Sequence, residues 1–200
     1  MKKKHKNLKT LLPLLPKMTV SVSGKPCEPV TLIVIGKRKH ITKFFINNRW
    51  YIAVGLTPVS IARAFWATVH NSSYLTGPVS PMFIRKKIHQ LAFQRPTRSN
   101  TFRRRHHLRL WKTPHTINGH RLWVGMLSYD RASGFYKHSL FPTHHISSNL
   151  NSEENFLARS LRIGRPTYVT LGEPEIGIIS NGDPYTWDGK ALVIDLSHAD

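Results

Sequence analysis

The sequence predicts an α+β fold: a single domain built on a mixed, mostly antiparallel sheet with about three helices. Three observations predict it. Residues 30–35 read VTLIVI, a continuous β-branched apolar run of the kind that fills a buried strand. Two longer runs, RHHLRLW (105–111) and HRLWVGMLSYD (120–130), flank a short linker with a Pro/Asn/Gly turn at Pro114 to Gly119, as an antiparallel pair requires. Helical stripes follow Thr57-Pro58 and Ser152-Glu153-Glu154, both patterns that start helices.

The elements justify themselves in order. Gly36 ends the first strand, and KRKHITKFFINN then sets Ile41, Phe44 and Phe45 on one helical stripe. Trp50 to Val54 returns as a short extended segment. Thr57 caps the next helix and Pro58 occupies its first turn, where a missing N–H costs nothing. Ile61, Ala62, Phe65, Trp66 and Val69 line one face of this helix, residues 58–70. Asn71 to Pro81 is loop, rich in Ser, Gly and Pro. Met82 to Ile84 and Ile88 to Phe93 read as short strands, and Arg95 to Arg104 as a basic connection. After the paired runs, Leu140 to Ser147 reads as a third strand of that sheet. Ser152 is expected to cap a helix with Phe156, Leu157, Ser160 and Leu161 on its stripe, its glutamates favoured by the helix dipole. Tyr168 to Leu171 and Ala191 to Leu196 are closing strands, separated by the turn-rich NGDPYTWDGK. No repeat and no dividing linker interrupts the chain. Residues 1–10 form a basic arm and 11–196 the domain.

Two hundred residues with 40% hydrophobic side chains and five tryptophans supply a core, which excludes disorder throughout. Charge is the outlier. Thirty Lys and Arg against ten Asp and Glu give +20, a surplus that attracts polyanions, whether an acidic membrane surface or nucleic acid. Cys27 is the single cysteine, so internal disulfides and thiolate metal clusters are excluded. The N-terminal MKKKHKNLKTLLPLLPKM imitates a signal peptide, but Pro13, Pro16 and Lys17 break its short apolar part. No run approaches the ~18 apolar residues of a membrane span. The expected location is cytoplasmic or at the membrane periphery.

Two histidine pairs are the motifs most open to chemistry: His106-His107 and His144-His145. In extended backbone, side chains alternate faces, so adjacent histidines point apart. His106 then shares a face with Leu108 and Leu110, and His107 with Arg105, Arg109 and Trp111. Partnerships are expected between the pairs, His106 with His144 or His107 with His145. A divalent metal (zinc or iron) requires three or more His or carboxylate ligands here, with His106, His144 and Asp130 as candidates and His138 and Glu153 able to complete a set. General acid–base use of His106, His107, His144 and His145 is the second option. The third is structural: His106 and His144 hydrogen-bonded at a core edge, with the other two on a basic surface. Arg105, Arg109 and Trp111, projecting with His107 from one face, also have the geometry to hold a phosphate or stack on a base. There is no Walker or Rossmann glycine loop and no GxSxG elbow, and Asp183 and Asp188 read as turn formers.

Several segments, in order, resemble the LssY C-terminal domain family of bacteria: GPVSPMFI (77–84), QLAFQRP (90–96), RRRHHLRLW, the GHRLWVG…YDR run (119–131), THHI (143–146) and NGDPYTWDGKALV (181–193). The resemblance spans about residues 11–195. It implies a domain often carried as the soluble tail of multi-spanning membrane proteins, some with a DedA-type or type-2 phosphatidic acid phosphatase portion. The name comes from a locus associated with type I secretion, and the family supplies no catalytic residue to carry over. The chain departs from the pattern at Gln90, where relatives usually have an aspartate, and at Ser147, Asn149, Asn151 and Asn155, where relatives tend to be acidic. The leading expectation is therefore a non-catalytic, basic interaction module for a membrane surface or an envelope protein, with Arg105, His107, Arg109, Trp111 and His145 facing a phosphate-bearing or acidic partner. The alternatives are a metal- or histidine-dependent hydrolase of the phosphoesterase kind, and nucleic-acid binding through the basic strand.

Overall fold

A computed structural model describes residues 7–135 and 142–198, with side chains throughout these except at 132–135 and 142–144. The expected buried run becomes strand β3 (Leu32–Ile35), every residue of which is buried. It sits in an eight-stranded sheet with β4 (Tyr51–Ile52), β7 (Leu91–Pro96), β8 (Arg105–Ile117), β9 (His120–Phe135), β10 (Pro142–Ile146), β11 (Thr167–Thr170) and β14 (Lys190–Asp195). The order is β11-β14-β3-β9-β8-β7-β4, with β10 on β9, and all pairings but β14 with β3 are antiparallel. The architecture is therefore the α+β, mostly antiparallel one the sequence predicts.

Both faces of the sheet are covered. Alternation along β3 and β9 sends Leu32, Val34, Trp123 and Leu127 to one face, where α2 (Arg38–Asn47) packs Ile41 and Phe45, and α4 (Leu150–Ser160) packs Leu157 and Ala158. Ile33, Ile35, Leu122, Val124 and Met126 go to the other. There they meet Leu11 and Leu15 of the N-terminal turn, which opens with α1 (Leu8–Leu11), and Tyr185 and Trp187 from the hairpin of β12 (Glu175–Ile178) and β13 (Pro184–Trp187). A four-stranded sheet formed by β1 (Met18–Val20), β2 (Pro26–Pro29), β5 (Phe83–Ile84) and β6 (Lys87–Ile88) completes the structure with α3 (Pro58–Val69).

Four details differ from expectation. Pro114 does not start the turn: β8 runs on to Ile117 through a register shift between Lys112 and Thr116, and the turn is Asn118-Gly119, both with positive φ (48° and 83°). A proline has no ladder N–H to lose at such an irregularity. The α4 cap is Asn149, whose Oδ1 accepts from Ser152 N–H at 3.1 Å, so Ser152 lies one turn inside. NGDPYTWDGK holds a strand, β13, and not turns alone. Finally, the apolar stripe of α3 faces outward. Ser60 and Ala67 are its buried positions, while Ile61, Phe65, Trp66 and Val69 are each more than half exposed. The side turned inward carries small side chains, and the large ones are left in solvent.

Candidate functional site

Strand β8 centres the candidate residues. Register pairs Arg105 with Asp130, His106 with Tyr129 and His107 with Ser128 on β9, so both histidine pairs lie in extended backbone, on opposite edges of β9. Alternation holds as expected. Arg105, His107, Arg109 and Trp111 share one face, but that face is interior: all four are at most 4% exposed. The expected open, basic face is thereby corrected. The reason is that β5, β6 and the loop carrying Pro78 and Ser80 cover it. Arg105 donates from Nη2 to Pro78 O at 3.1 Å and from Nη1 to Gln94 Oε1, lies 3.5 Å from Asp130 through Nε, and places its guanidinium 3.8 Å over the Phe102 ring. Arg109 donates from Nε to Ser80 O at 3.1 Å. Trp111 Nε1 donates to Lys87 O at 3.0 Å.

The histidines pair with carboxylates, not with one another. His107 Nε2 sits 2.5 Å from Asp130 Oδ2, and His106 Nδ1 2.6 Å from Glu153 Oε2 on α4. His106 is also stacked between Phe156, 3.6 Å between centroids, and Tyr129. His145 Nδ1 lies 2.9 Å from Asp183 Oδ1. The other oxygen of Asp183 accepts from Ile146 N–H at 2.8 Å and from Asn181 Nδ2 at 3.1 Å. His107 and His145 thus each take a carboxylate in place of the expected His107–His145 partnership. The His144 side chain and all of His138 lie outside the described residues. The structural expectation is corrected too, since His107 belongs to the interior and not to a basic surface.

Burial sets the electrostatics. It pushes the His107 imidazole down to about 3, against the pull of Asp130, so the ring is neutral near pH 7. Arg105 is lowered to about 10 by the same cause, with Asp130 opposing, and remains a cation. Glu28, fully buried, has its carboxyl raised by desolvation while Arg109 holds it down. The same network thus balances the Arg105 and Arg109 cations against Asp130 and Glu28. As chemistry, a sealed His106 or His107 reaches no substrate directly, whereas the His145 side chain is 38% exposed and oriented by Asp183. His106 and Asp130 lie on opposite faces of the sheet, so the expected ligand set of His106, His144 and Asp130 does not assemble around one point. Among the described residues, no three His, Cys, Asp or Glu side chains converge in a way that holds a metal.

Sequence reasoning missed Asp183, Gln94 and Glu28. Asp183 lies 37 positions from Ile146, a separation closed by packing of the β12–β13 hairpin, and Gln94 lies 11 from Arg105, a separation closed by the β7–β8 pairing. The amides at the departing positions have structural roles. Gln90 Oε1 accepts from Lys112 N–H at 2.8 Å, Asn149 caps α4, Asn151 Oδ1 accepts from Asp188 N–H at 3.1 Å, and Asn155 Oδ1 accepts from Tyr168 Oη at 2.9 Å.

One further surface stands out. Along α3 the exposed residues Val59, Ile61, Phe65, Trp66 and Val69 form one continuous apolar arc, with Arg63 at its edge and Arg103 donating from Nε to Thr68 O at 2.8 Å near its C-terminal end. Tyr51, Ile52, Val54 and Leu56, just before the helix, are exposed as well. The stretch from residue 29 to 129 contains no Asp or Glu. Among the described residues no helix is long and apolar enough to cross a membrane.

A two-faced mixed sheet, stitched to its covering layers by the buried His106–Glu153 contact and by arginine donors to the Pro78 and Ser80 carbonyls, and clad in excess cations, defines a basic α+β domain. The chain belongs to the LssY C-terminus family, whose model matches residues 12–191. No curated protein and no solved structure matches it.

Proposed function

We propose that this domain is a peripheral interaction module that docks on an anionic membrane surface through α3. The observation that carries the reading is the outward apolar face of that helix, with Phe65 and Trp66 both 63% exposed in a stretch of chain that bears cations and no carboxylate. A helix with large apolar side chains on one arc and arginine at its margin lies in the headgroup plane, its aromatic rings at the acyl boundary. A contiguous apolar surface of this kind on a folded domain marks an interaction site. Arg63, Arg103 and the +20 net charge supply attraction to acidic headgroups, about 1 kcal/mol per cation near the surface. The reading keeps the acidic membrane partner and moves the contact from β8, whose arginines are interior, to α3.

Vesicle sedimentation tests it. The full chain is expected to pellet with vesicles of mixed phosphatidylglycerol and phosphatidylcholine, and far less with phosphatidylcholine alone. Phe65→Ser with Trp66→Ser is expected to weaken anionic-vesicle binding at least about tenfold, because each aromatic side chain transferred from water to the acyl boundary contributes about 1.5–3 kcal/mol, with the thermal midpoint retained. Equal pelleting with both vesicle types, or no effect of the double substitution, overturns the proposal.

A further inference from the structure

A second feature stands apart from α3 and does not depend on how that helix is used. A cleft of about 400 Å³ opens where the far half of β8 meets the β5–β6 hairpin and the N-terminal turn. Its apolar wall is Trp111, Ile84 and Val124; its cationic side chains are Arg85, Lys87, Lys112 and Arg121. No Asp or Glu lines it. We propose that this cleft is a binding site for phosphate esters with a short apolar group: the tail lies along Trp111 and the phosphate sits among the cations.

The cleft is built and not incidental. The register shift between Lys112 and Thr116 interrupts the β8–β9 ladder, and Thr113, Pro114 and His115, which lie within the interruption, line the cleft beside Trp111. Trp111 Nε1 donates to Lys87 O, and Lys112 N–H to Gln90 Oε1, which fixes the indole and ties the hairpin and its exit to β8. Arg85 and Arg121 are each anchored through one guanidinium nitrogen, to Leu14 O at 3.3 Å and to Thr113 O at 3.2 Å. A guanidinium has five N–H donors, so both forks keep donors for an oxyanion.

The hairpin turn gives an independent signal. Arg85 and Lys86 both have positive φ, 47° and 64°. A two-residue turn of this hand favours Asn-Gly, and a long side chain there costs about 1–2 kcal/mol. Such strain is characteristic of functional sites, and here it places a basic turn at the mouth of the cleft. The volume lies within the range of small-ligand sites, and an aromatic wall with a few convergent charges is their usual composition. Four cations without a lining carboxylate select a dianion over a neutral amphiphile, and the arginine forks match phosphate oxygens.

The test uses the full chain and soluble monomeric probes, so it is independent of vesicle binding: n-hexyl phosphate, inorganic phosphate and hexan-1-ol, each titrated by calorimetry and by amide and indole NMR. Hexyl phosphate is expected to bind at least about tenfold more tightly than either half alone, with shifts at the Trp111 indole N–H and the Lys112 amide. Arg85→Asn is expected to raise the thermal midpoint, by easing the turn, while weakening hexyl phosphate at least about fivefold. Lys112→Gln, an exposed position, should weaken it without altering the midpoint, and Phe65→Ser should leave it unchanged. Affinity for hexyl phosphate equal to that for inorganic phosphate, equal to that for hexanol, or unaltered by Arg85→Asn overturns the proposal.

Discussion

Nδ1 of His106 on β8 meets Oε2 of Glu153 on α4 at 2.6 Å, and the imidazole is stacked within 3.6 Å of Phe156 from the same helix. One histidine therefore fastens α4 to the sheet by a hydrogen bond and by ring contact. Both side chains are at most 10% exposed, so losing either partner strands a polar group where water does not reach it. His106→Ala is expected to cost about 3 kcal/mol of stability, since it removes the stack and leaves Glu153 without the ring. Glu153→Gln keeps a weaker acceptor and should cost about 1 kcal/mol. Urea unfolding of the two single variants and the double variant measures the coupling, expected near 1–2 kcal/mol. Strict additivity would show that the contact contributes nothing.

The buried titratable groups give stability a definite dependence on pH. Burial holds His107 down to about 3, and burial with the Arg109 charge holds His89 down to about 4, against 6.5 when unfolded. The unfolded chain therefore binds more protons as pH falls below 6.5, and stability falls with it, each histidine contributing until its folded value is reached. Glu154 acts in the opposite sense. Its carboxyl is raised to about 9 by burial and by Asp188, so stability falls as pH rises from 4.5 towards 9. Between about 4.5 and 6.5 the two sets oppose, and outside that window they do not. Urea midpoints are expected to be highest there and lower at both pH 4 and pH 8. His89→Gln should flatten the acid limb by up to about 1.4 kcal/mol per pH unit. An unchanged acid limb in that variant would mean that His89 is protonated in the fold.

How much of this was legible in the sequence depends on distance along the chain. The β8–β9 pair was readable because alternation and turn lie within one contiguous stretch, and β3 because VTLIVI is apolar on both faces. The faces of His106 and His107 were likewise correct, since alternation is local. What covered each face was not readable. Arg105 and Arg109 look like a surface grip until Pro78, Ser80 and Glu28 arrive from elsewhere. The helix at 58–69 shows the same limit from the other side: periodicity says which residues share a face, not that the face points into the core. The Asn149 cap was missed because Ser152 offers the same pattern three residues later. Asp183 was recognised as a turn residue, which it is, since its N–H donates to Asn181 Oδ1; its second role at His145 depends on a tertiary contact between segments 38 positions apart.

Glu154 offers the sharpest single test of the interior. The side chain is 3% exposed, and burial outweighs the nearby Lys190 charge in setting its carboxyl. Its neighbour Glu153 has the His106 ring as a partner, whereas Glu154 Oε1 is buried without a hydrogen bond. At pH 8 the folded state must keep Glu154 protonated, while the unfolded chain ionises it freely, which costs stability. Glu154→Gln removes the proton requirement and keeps the shape. It is expected to stabilise the protein at pH 8 by on the order of 2 kcal/mol, and the gain should shrink as the pH is lowered towards 4.5. The measurement is the difference in unfolding free energy between variant and parent at pH 5, 6.5 and 8. A gain independent of pH would assign the effect to packing alone. A loss at pH 8 would mean that the carboxylate is ionised in the fold and held by a cation, reversing the account of this helix.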